Sequence, residues 1–236
     1  MQQLLRPGSL PPLLASEINY SHFADHIRNR HCSCFRWAME GIVRKYQQKF
    51  KRVREEMDRW EELQARLLSQ YRNASSIIER LQVIQEAKNY GILSSVDGIG
   101  DAVVGKQMDS LLMILLSLNK IMEEFHGIVM SLKKIHRDSR QLVKGGSTQL
   151  TVKQLQQRLG VKPSLQDCLD GLMLLHDMHN SEYLLKSSII SALPTVVSRP
   201  SSTDLGSLQQ LLVDQPNIPK EDVEFIFDII FAEDMC

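Results

Sequence analysis

Two glycines and a lysine near the middle of the chain have the spacing of a nucleotide-binding loop. Residues 100–107 read Gly-Asp-Ala-Val-Val-Gly-Lys-Gln. In a phosphate-binding loop, successive backbone amides surround a phosphate and the lysine balances its charge. Gln107, however, occupies the position that must offer a hydroxyl group to magnesium, and the required β-strand pattern is not evident. The sequence therefore argues against ATP binding at this segment.

The same region allows a second interpretation as a helix-hairpin-helix turn. Residues 93–100 follow the pattern Leu-x-x-Val-x-Gly-Ile-Gly, in which glycines expose amides to a nucleic-acid phosphate and the apolar residues clamp two helices. Functional turns are usually followed by basic residues, yet Asp101 comes next and only Lys106 comes later. The segment is either a nucleic-acid contact or a plain connection between helices.

Two groups of histidine and cysteine residues could in principle bind a metal ion, but neither group has a standard ligand set. His176 and His179 are one turn apart on a predicted helix, but no third ligand is apparent nearby. The N-terminal candidates, whose spacing matches no standard zinc finger, are His22, His26, His31, Cys32 and Cys34. Paired carboxylates for acid–base chemistry and a nucleophile elbow are also missing. We predict no metal, no cofactor and no enzyme activity.

Two long amphipathic helices dominate the pattern of apolar residues. In each, apolar side chains recur at spacings of three and four, which places them along one face of a helix. The first seam contains Met39, Val43, Tyr46, Phe50, Val53, Met57, Trp60, Leu63 and Leu67. The second contains Leu111, Leu115, Leu118, Met122, Phe125, Val129 and Leu132. Each seam needs a partner that covers it.

Shorter helices and breaks complete an all-α fold, predicted as an elongated helical bundle. We predict a break or helix cap at residues 73–76, a turn-rich stretch over residues 94–105 and a stop at residues 145–146. Further helices are predicted from Thr151 to Leu159, from Pro163 to about Leu193, over residues 204–214 and over residues 220–233. Alternation with a period of two is nowhere sustained, which excludes a sheet.

The predicted domain organisation has four parts. Residues 1–38 form an irregular leader, with translation expected to start mainly at Met39, and residues 39–193 form the bundle. Residues 194–203 form a linker rich in proline and serine, and residues 204–236 form acidic amphipathic helices. Four irregularly spaced cysteines indicate a reducing compartment, and no apolar run reaches the length of a membrane span. A soluble protein without a membrane partner is expected.

Charge is balanced overall and uneven locally. The chain has 28 basic and 28 acidic residues, so net charge gives no argument for nucleic acid. An acidic block nevertheless follows directly after a basic block, whose members are Arg44, Lys45, Lys49, Lys51, Arg52 and Arg54. The basic block could contact RNA, act as a nuclear import signal or meet an acidic protein; the alternative is a solvated helix face.

The last predicted helix is too apolar for one narrow stripe. It carries Phe225, Phe227 and Phe231 among acidic residues. Such a helix either closes the core of the bundle or lies in the groove of a partner.

Two short motifs resemble a known family. Residues 163–172 read Pro-Ser-Leu-Gln-Asp-Cys-Leu-Asp-Gly-Leu, and residues 183–187 read Tyr-Leu-Leu-Lys-Ser. This pattern is similar to that of a family of small helical ribosome-maturation factors, whose members also share the long seam and the acidic, Phe-rich C-terminus. Here Gly171 replaces a bulky aromatic residue and His179 replaces a tyrosine of the family pattern.

The resemblance implies a non-catalytic adaptor in cytoplasmic maturation of the large ribosomal subunit. Members of that family join AAA ATPases of the valosin-containing type, which strip a maturation factor from pre-60S particles. The expected partners are therefore an AAA ATPase, other adaptor subunits and pre-60S particles, and the expected location is the cytoplasm and also the nucleus. Partner contacts are predicted at Tyr183, Lys186, Phe227 and Phe231.

Two other classes of function stay open at this point. A nucleic-acid-binding protein would use the turn at residues 98–100 and bind in a salt-dependent manner. A coiled-coil tether would associate with a second copy through its seams.

Overall fold

The computed structural model describes the backbone of residues 20–144, 150–158, 160–198 and 202–232. The described residues are almost entirely helical and contain no β-strand, which confirms the all-α class. The helices are α1 (Tyr20–Ile84), α2 (Ile99–Lys144), α3 (Val152–Gln156), α4 (Leu165–Ser198), α5 (Ser202–Asp214) and α6 (Lys220–Ile230), with a 3₁₀ segment at Ala87–Ser95.

The chain divides into two compact units, Met1–Met39 and Glu40–Cys236. In the first unit, α1 begins at Tyr20, so the leader predicted to be irregular is helical from that residue onward. Residues 20–40 contain neither glycine nor proline, and a helix does not require a sustained apolar stripe when no breaker interrupts it. The N-terminal histidines and cysteines considered as metal ligands have side chains outside the described residues.

Within the second unit, α1 and α2 pack antiparallel. Tyr46 donates a hydrogen bond to the carbonyl oxygen of Ser139 (2.9 Å), and Ser131 donates one to the carboxylate of Glu56 (2.6 Å). Both predicted seams are largely buried, and their completely buried members include Phe50, Leu67, Leu118 and Phe125. Each such side chain contributes about 1.5–3 kcal/mol when it leaves water. The seams therefore share one core, in which Trp60 meets Phe125 and α4 and α6 cover the rest of the first seam.

The predicted break at residues 73–76 is wrong, because α1 continues without interruption to Ile84. Ala74, Ile77 and Ile78 are buried, so tertiary packing outweighs the weak helix propensity of the Asn-Ala-Ser-Ser sequence. The chain reverses further on, at Gly91 (φ +52°) and Gly98 (φ +74°). Both conformations lie in the left-handed region that favours glycine.

Helix α4 begins with a reciprocal cap. The hydroxyl oxygen of Ser164 accepts a hydrogen bond from the amide of Asp167 (3.0 Å), and the Asp167 carboxylate accepts one from the amide of Ser164 (3.0 Å). These bonds satisfy donors that a helix start otherwise leaves unpaired. The helix continues through Pro194 to Ser198, and α5 already begins at Ser202. Most of the stretch predicted as a linker is therefore helical.

Helices α5 and α6 lie along α1 and run in the opposite direction. Tyr71 donates a hydrogen bond to the carbonyl oxygen of Leu205 (3.1 Å), and Gln47 donates one to that of Ile230 (3.1 Å). The buried face of α6 consists of Val223, Ile226, Phe227 and Ile230. Of the two alternatives for this helix, the structure therefore shows the one that closes the core.

Gly171 allows α4, α6 and α1 to approach closely. A β-carbon at this position would lie 3.0 Å from the Cγ2 atom of Ile226 and 3.2 Å from Cζ of Phe50. The absence of a side chain thus makes room for the C-terminal helix against the bundle.

Candidate interaction surfaces and a buried polar cluster

A buried ion pair lies in the middle of the bundle. The ammonium group of Lys186 is 3.0 Å from the carboxylate of Glu182 and donates a 2.8 Å hydrogen bond to the side-chain oxygen of Gln64. The second oxygen of Glu182 accepts bonds from the backbone amide and the side chain of Asn217 (3.2 and 3.1 Å). Lys186 and Glu182 are both fully buried. The pair therefore joins α4 to α1 and to the loop between α5 and α6.

Burial shifts the pKa values of two members of this region. Desolvation lowers the pKa of the Lys186 ammonium group, and the charge and hydrogen bond of Glu182 oppose that shift. Burial lowers the pKa of His179 to about 4, so its imidazole is neutral at pH 7. Its Nδ1 atom donates to the carbonyl oxygen of Leu175 (2.7 Å), and its ring packs edge-on against Trp60.

Of the two partner contacts predicted on α4, Tyr183 is partly accessible and Lys186 is not. Tyr183 is half-buried and lies over His126 with 5.5 Å between ring centroids. Lys186 points instead into the core, where Glu182 and Gln64 compensate its charge. As folded, its ammonium group is not available to a partner.

Sequence reasoning missed the buried cluster although a signal was present. One row of buried positions on α4 recurs at alternating spacings of three and four and includes polar residues. The row consists of Leu172, Leu175, His179, Glu182, Lys186, Ile189 and Leu193. Because three consecutive positions of this seam are polar, apolar periodicity alone does not reveal it. The spacing of three and four residues, which continues unbroken through these polar positions, could have revealed it.

The two phenylalanines predicted as partner contacts belong to an aromatic cluster with Arg54. The guanidinium carbon of Arg54 is 4.6 Å from the ring centroid of Phe227 and 5.6 Å from that of Phe231. Phe227 is buried and meets Phe50 edge-on, whereas Phe231 is half-buried. Phe227 therefore lies in the core, where it holds α6 against α1. The exposed aromatic ring of α6 is that of Phe225, which is 65% exposed.

The other members of the predicted basic block are accessible. Arg44, Lys45, Lys51 and Arg52 are exposed, and Lys49 is half-exposed. Arg54 is exposed as well, but its guanidinium group packs over the rings of Phe227 and Phe231. Five of the six cations therefore stay available for a polyanion or an acidic protein.

The structure contradicts both interpretations of the glycine-rich segment as a phosphate-binding element. Residues 100–107 lie within the first turns of α2 rather than in a loop that follows a strand. Leu93 and Val96 are 58% and 50% exposed, so they do not clamp two helices as a helix-hairpin-helix turn requires. Gly98 simply ends the connection that leads into α2.

His176 and His179 do not face a common metal site. His176 lies 2.8 Å from the carboxylate of Asp177, while His179 is in the core. Among the residues that the structure describes, no group of three or more His, Cys, Asp or Glu side chains could hold a metal ion. Within the same part of the chain, no helix combines the length and apolar character needed to cross a membrane.

An exposed apolar surface on the first half of α2 was not predicted. Met108, Leu112 and Leu116 follow one another at spacings of four, and Met113 lies beside them. Leu112 and Leu116 are 57% and 55% exposed. Contiguous exposed apolar residues often mark sites where other proteins bind. We call these four residues the α2 apolar surface.

The fold and these surfaces define an all-α bundle protein with exposed apolar and basic helix faces. The family model described as "Ribosome biogenesis protein C1orf109-like" matches residues 40–235, and the chain belongs to this family. The expected role in ribosome biogenesis is thereby confirmed. No curated protein matches the chain in sequence.

Proposed function

We propose that this protein is a non-catalytic adaptor subunit of an AAA ATPase complex that acts in cytoplasmic maturation of the large ribosomal subunit. Membership of a ribosome biogenesis family across residues 40–235 is the observation that carries the proposal. The ATPase partner follows from the motif resemblance at residues 163–172 and 183–187.

The arrangement of polar side chains supports an adaptor role. Lys186, Glu182 and His179, which could in other settings act as acids or bases, are held in buried contacts between helices. Contacts of this type fix the relative positions of α1, α4 and the α5–α6 loop. A rigid helical body of this kind can present one face to a partner while another face forms its own core.

The protein partner binds, in our proposal, at the α2 apolar surface. Its apolar side chains suit the apolar face of a partner helix, which would bury them from water. This surface takes the place of the predicted contact through Lys186, which the core encloses. Phe225, the exposed ring of α6, is a second site for such a contact.

Affinity purification from cells tests both parts of the proposal. Tagged wild-type protein should recover an AAA ATPase and pre-60S factors. Leu112→Glu should reduce that recovery at least about fivefold, since a charge in an apolar interface costs about 1 kcal/mol or more. Leu174→Glu is the matched control, because Leu174 is an exposed leucine of α4 outside the surface.

The two failures are distinguishable. Recovery of neither ATPase nor pre-60S factors by the wild type would refute the adaptor function. Unchanged recovery by a folded Leu112→Glu variant would refute the docking surface alone.

A further inference from the structure

A second basic segment lies near the C-terminal end of α2. Its cations are all exposed, and they are Lys133, Lys134, Arg137, Arg140 and Lys144. The segment 133–144 contains one acidic residue, Asp138, whose carboxylate is 3.5 Å from Arg137. The segment 44–54 of α1 contains no acidic residue.

The fold places these two segments side by side. Tyr46 bonds to the backbone of Ser139, and Glu56 bonds to Ser131. Because α1 and α2 are antiparallel, residues 44–54 therefore run alongside residues 133–144. About ninety positions of sequence separate the two segments, and the packing of the long seams unites them. We call the exposed or half-exposed cations of residues 44–52, together with Lys133, Lys134 and Arg137, the basic face. Arg140 and Lys144 border a cavity beside α3 and α4 instead.

Helix electrostatics do not account for the basic face. Cations near the end of a helix complement its dipole, but that effect is limited to about the last turn. The segment 133–144 extends over about three turns, and the segment 44–54 lies in the interior of α1 (Tyr20–Ile84). The concentration of positive charge in a chain of zero net charge therefore needs a different reason.

The composition of the basic face favours a phosphate backbone as its ligand. Within residues 44–54 and 133–144 no large apolar side chain is exposed, and Met130 is the nearest exposed one along α2. A protein partner usually needs apolar or aromatic anchors at the centre of its interface. Single-stranded RNA usually stacks its bases on aromatic side chains. A surface with cations alone suits the regularly spaced phosphates of a double helix.

We propose that the basic face binds the phosphate backbone of double-helical RNA. The choice of RNA among polyanions rests on the family's role in ribosome biogenesis, and the proposal goes beyond the adaptor function. Contacts to phosphate position a protein without reading sequence. The face would thus hold the protein on structured ribosomal RNA irrespective of the local sequence.

Fluorescence anisotropy with a labelled RNA duplex of about 20 base pairs tests this proposal, since double-stranded RNA-binding domains span about 16 base pairs. One double variant, Lys45→Gln with Arg52→Gln, alters α1; another, Lys134→Gln with Arg137→Gln, alters α2. The matched control is Arg72→Gln with Lys120→Gln, which removes two exposed cations from the same helices outside the basic face. Circular dichroism verifies that each variant is folded.

Wild-type binding should weaken steeply as salt rises from roughly 50 to 200 mM. Each double variant of the basic face should bind about tenfold more weakly and reduce the slope of log K against log salt by about 2, whereas the control should match the wild type. Absent wild-type binding, or equal effects of all three variants, would overturn the proposal. If the basic-face variants no longer recover an acidic protein from ribonuclease-treated extract but bind RNA as the wild type does, the face binds a protein instead of RNA. Purified protein and naked RNA need no ATPase, so this result is independent of the adaptor test.

Discussion

Lys186 is a cation inside the core whose charge is compensated by a carboxylate on the same helix. Its ammonium group lies 3.0 Å from the carboxylate of Glu182. The desolvation of a buried ion pair offsets much of its attraction, so its net contribution to stability is small. Loss of one partner alone is costly, however, and this asymmetry makes the pair a determinant of how α4 packs on α1.

His179 predicts a pH dependence of stability. Its pKa is about 4 in the folded protein and about 6.5 in an unfolded chain. Between these values the unfolded state binds a proton that the folded state does not, so the free energy of unfolding should fall as pH decreases from about 6.5 to about 4. Over this range the free energy of unfolding should decrease by an amount on the order of 3 kcal/mol, and above pH 6.5 this histidine should cause no decrease.

Denaturation in urea across this pH range measures the effect. His179→Gln keeps an amide that can donate to Leu175 but has no titrating ring, so its stability should change less with pH. The same pH dependence in wild type and variant would show that His179 is not its source.

At the scale of the helices, Gly171 is a contact that the sequence pattern could not interpret. It stands where the resembled family pattern has a bulky aromatic residue, and the structure shows that α6 and Phe50 occupy the space of its missing side chain. We expect Gly171→Leu to destabilise the protein by about 1–3 kcal/mol, because the added atoms collide with Ile226 and Phe50.

Gly127→Leu provides the control for this substitution. Gly127 is also within a helix, but no atom lies within 4 Å of an added β-carbon. Its replacement should stabilise the protein by up to about 1 kcal/mol through helix propensity. Chemical denaturation measures both values, and a similar gain for the two variants would contradict the close packing of α4 and α6.

The helices themselves were largely predictable, and their ends were not. The seams through Phe50 and Phe125 identify two long helices because apolar spacing reports directly which face is buried. A proline inside a helix costs about 3 kcal/mol, so the end of α4 depends on tertiary packing that the local sequence does not report. Pro194 thus marked a linker in the sequence but lies inside the helix.

For the whole molecule, the arrangement of charge could not be predicted because it depends on register. Each basic segment is visible in the sequence, yet only the pairing of Tyr46 with Ser139 shows that the two lie together. The family match at residues 40–235 establishes ribosome biogenesis. The combination of an apolar surface on α2 and a basic face on α1 and α2 suits a protein that connects a protein partner to an RNA particle.

Acute depletion of the protein from cells tests the adaptor function most directly. The quantity to measure is the amount of the ATPase-released maturation factor that stays on purified cytoplasmic pre-60S particles. Depletion should increase this amount, wild-type protein should return it to the normal level, and Leu112→Glu should fail to do so while Leu174→Glu succeeds. Release that proceeds at the normal level in depleted cells would contradict the proposed function.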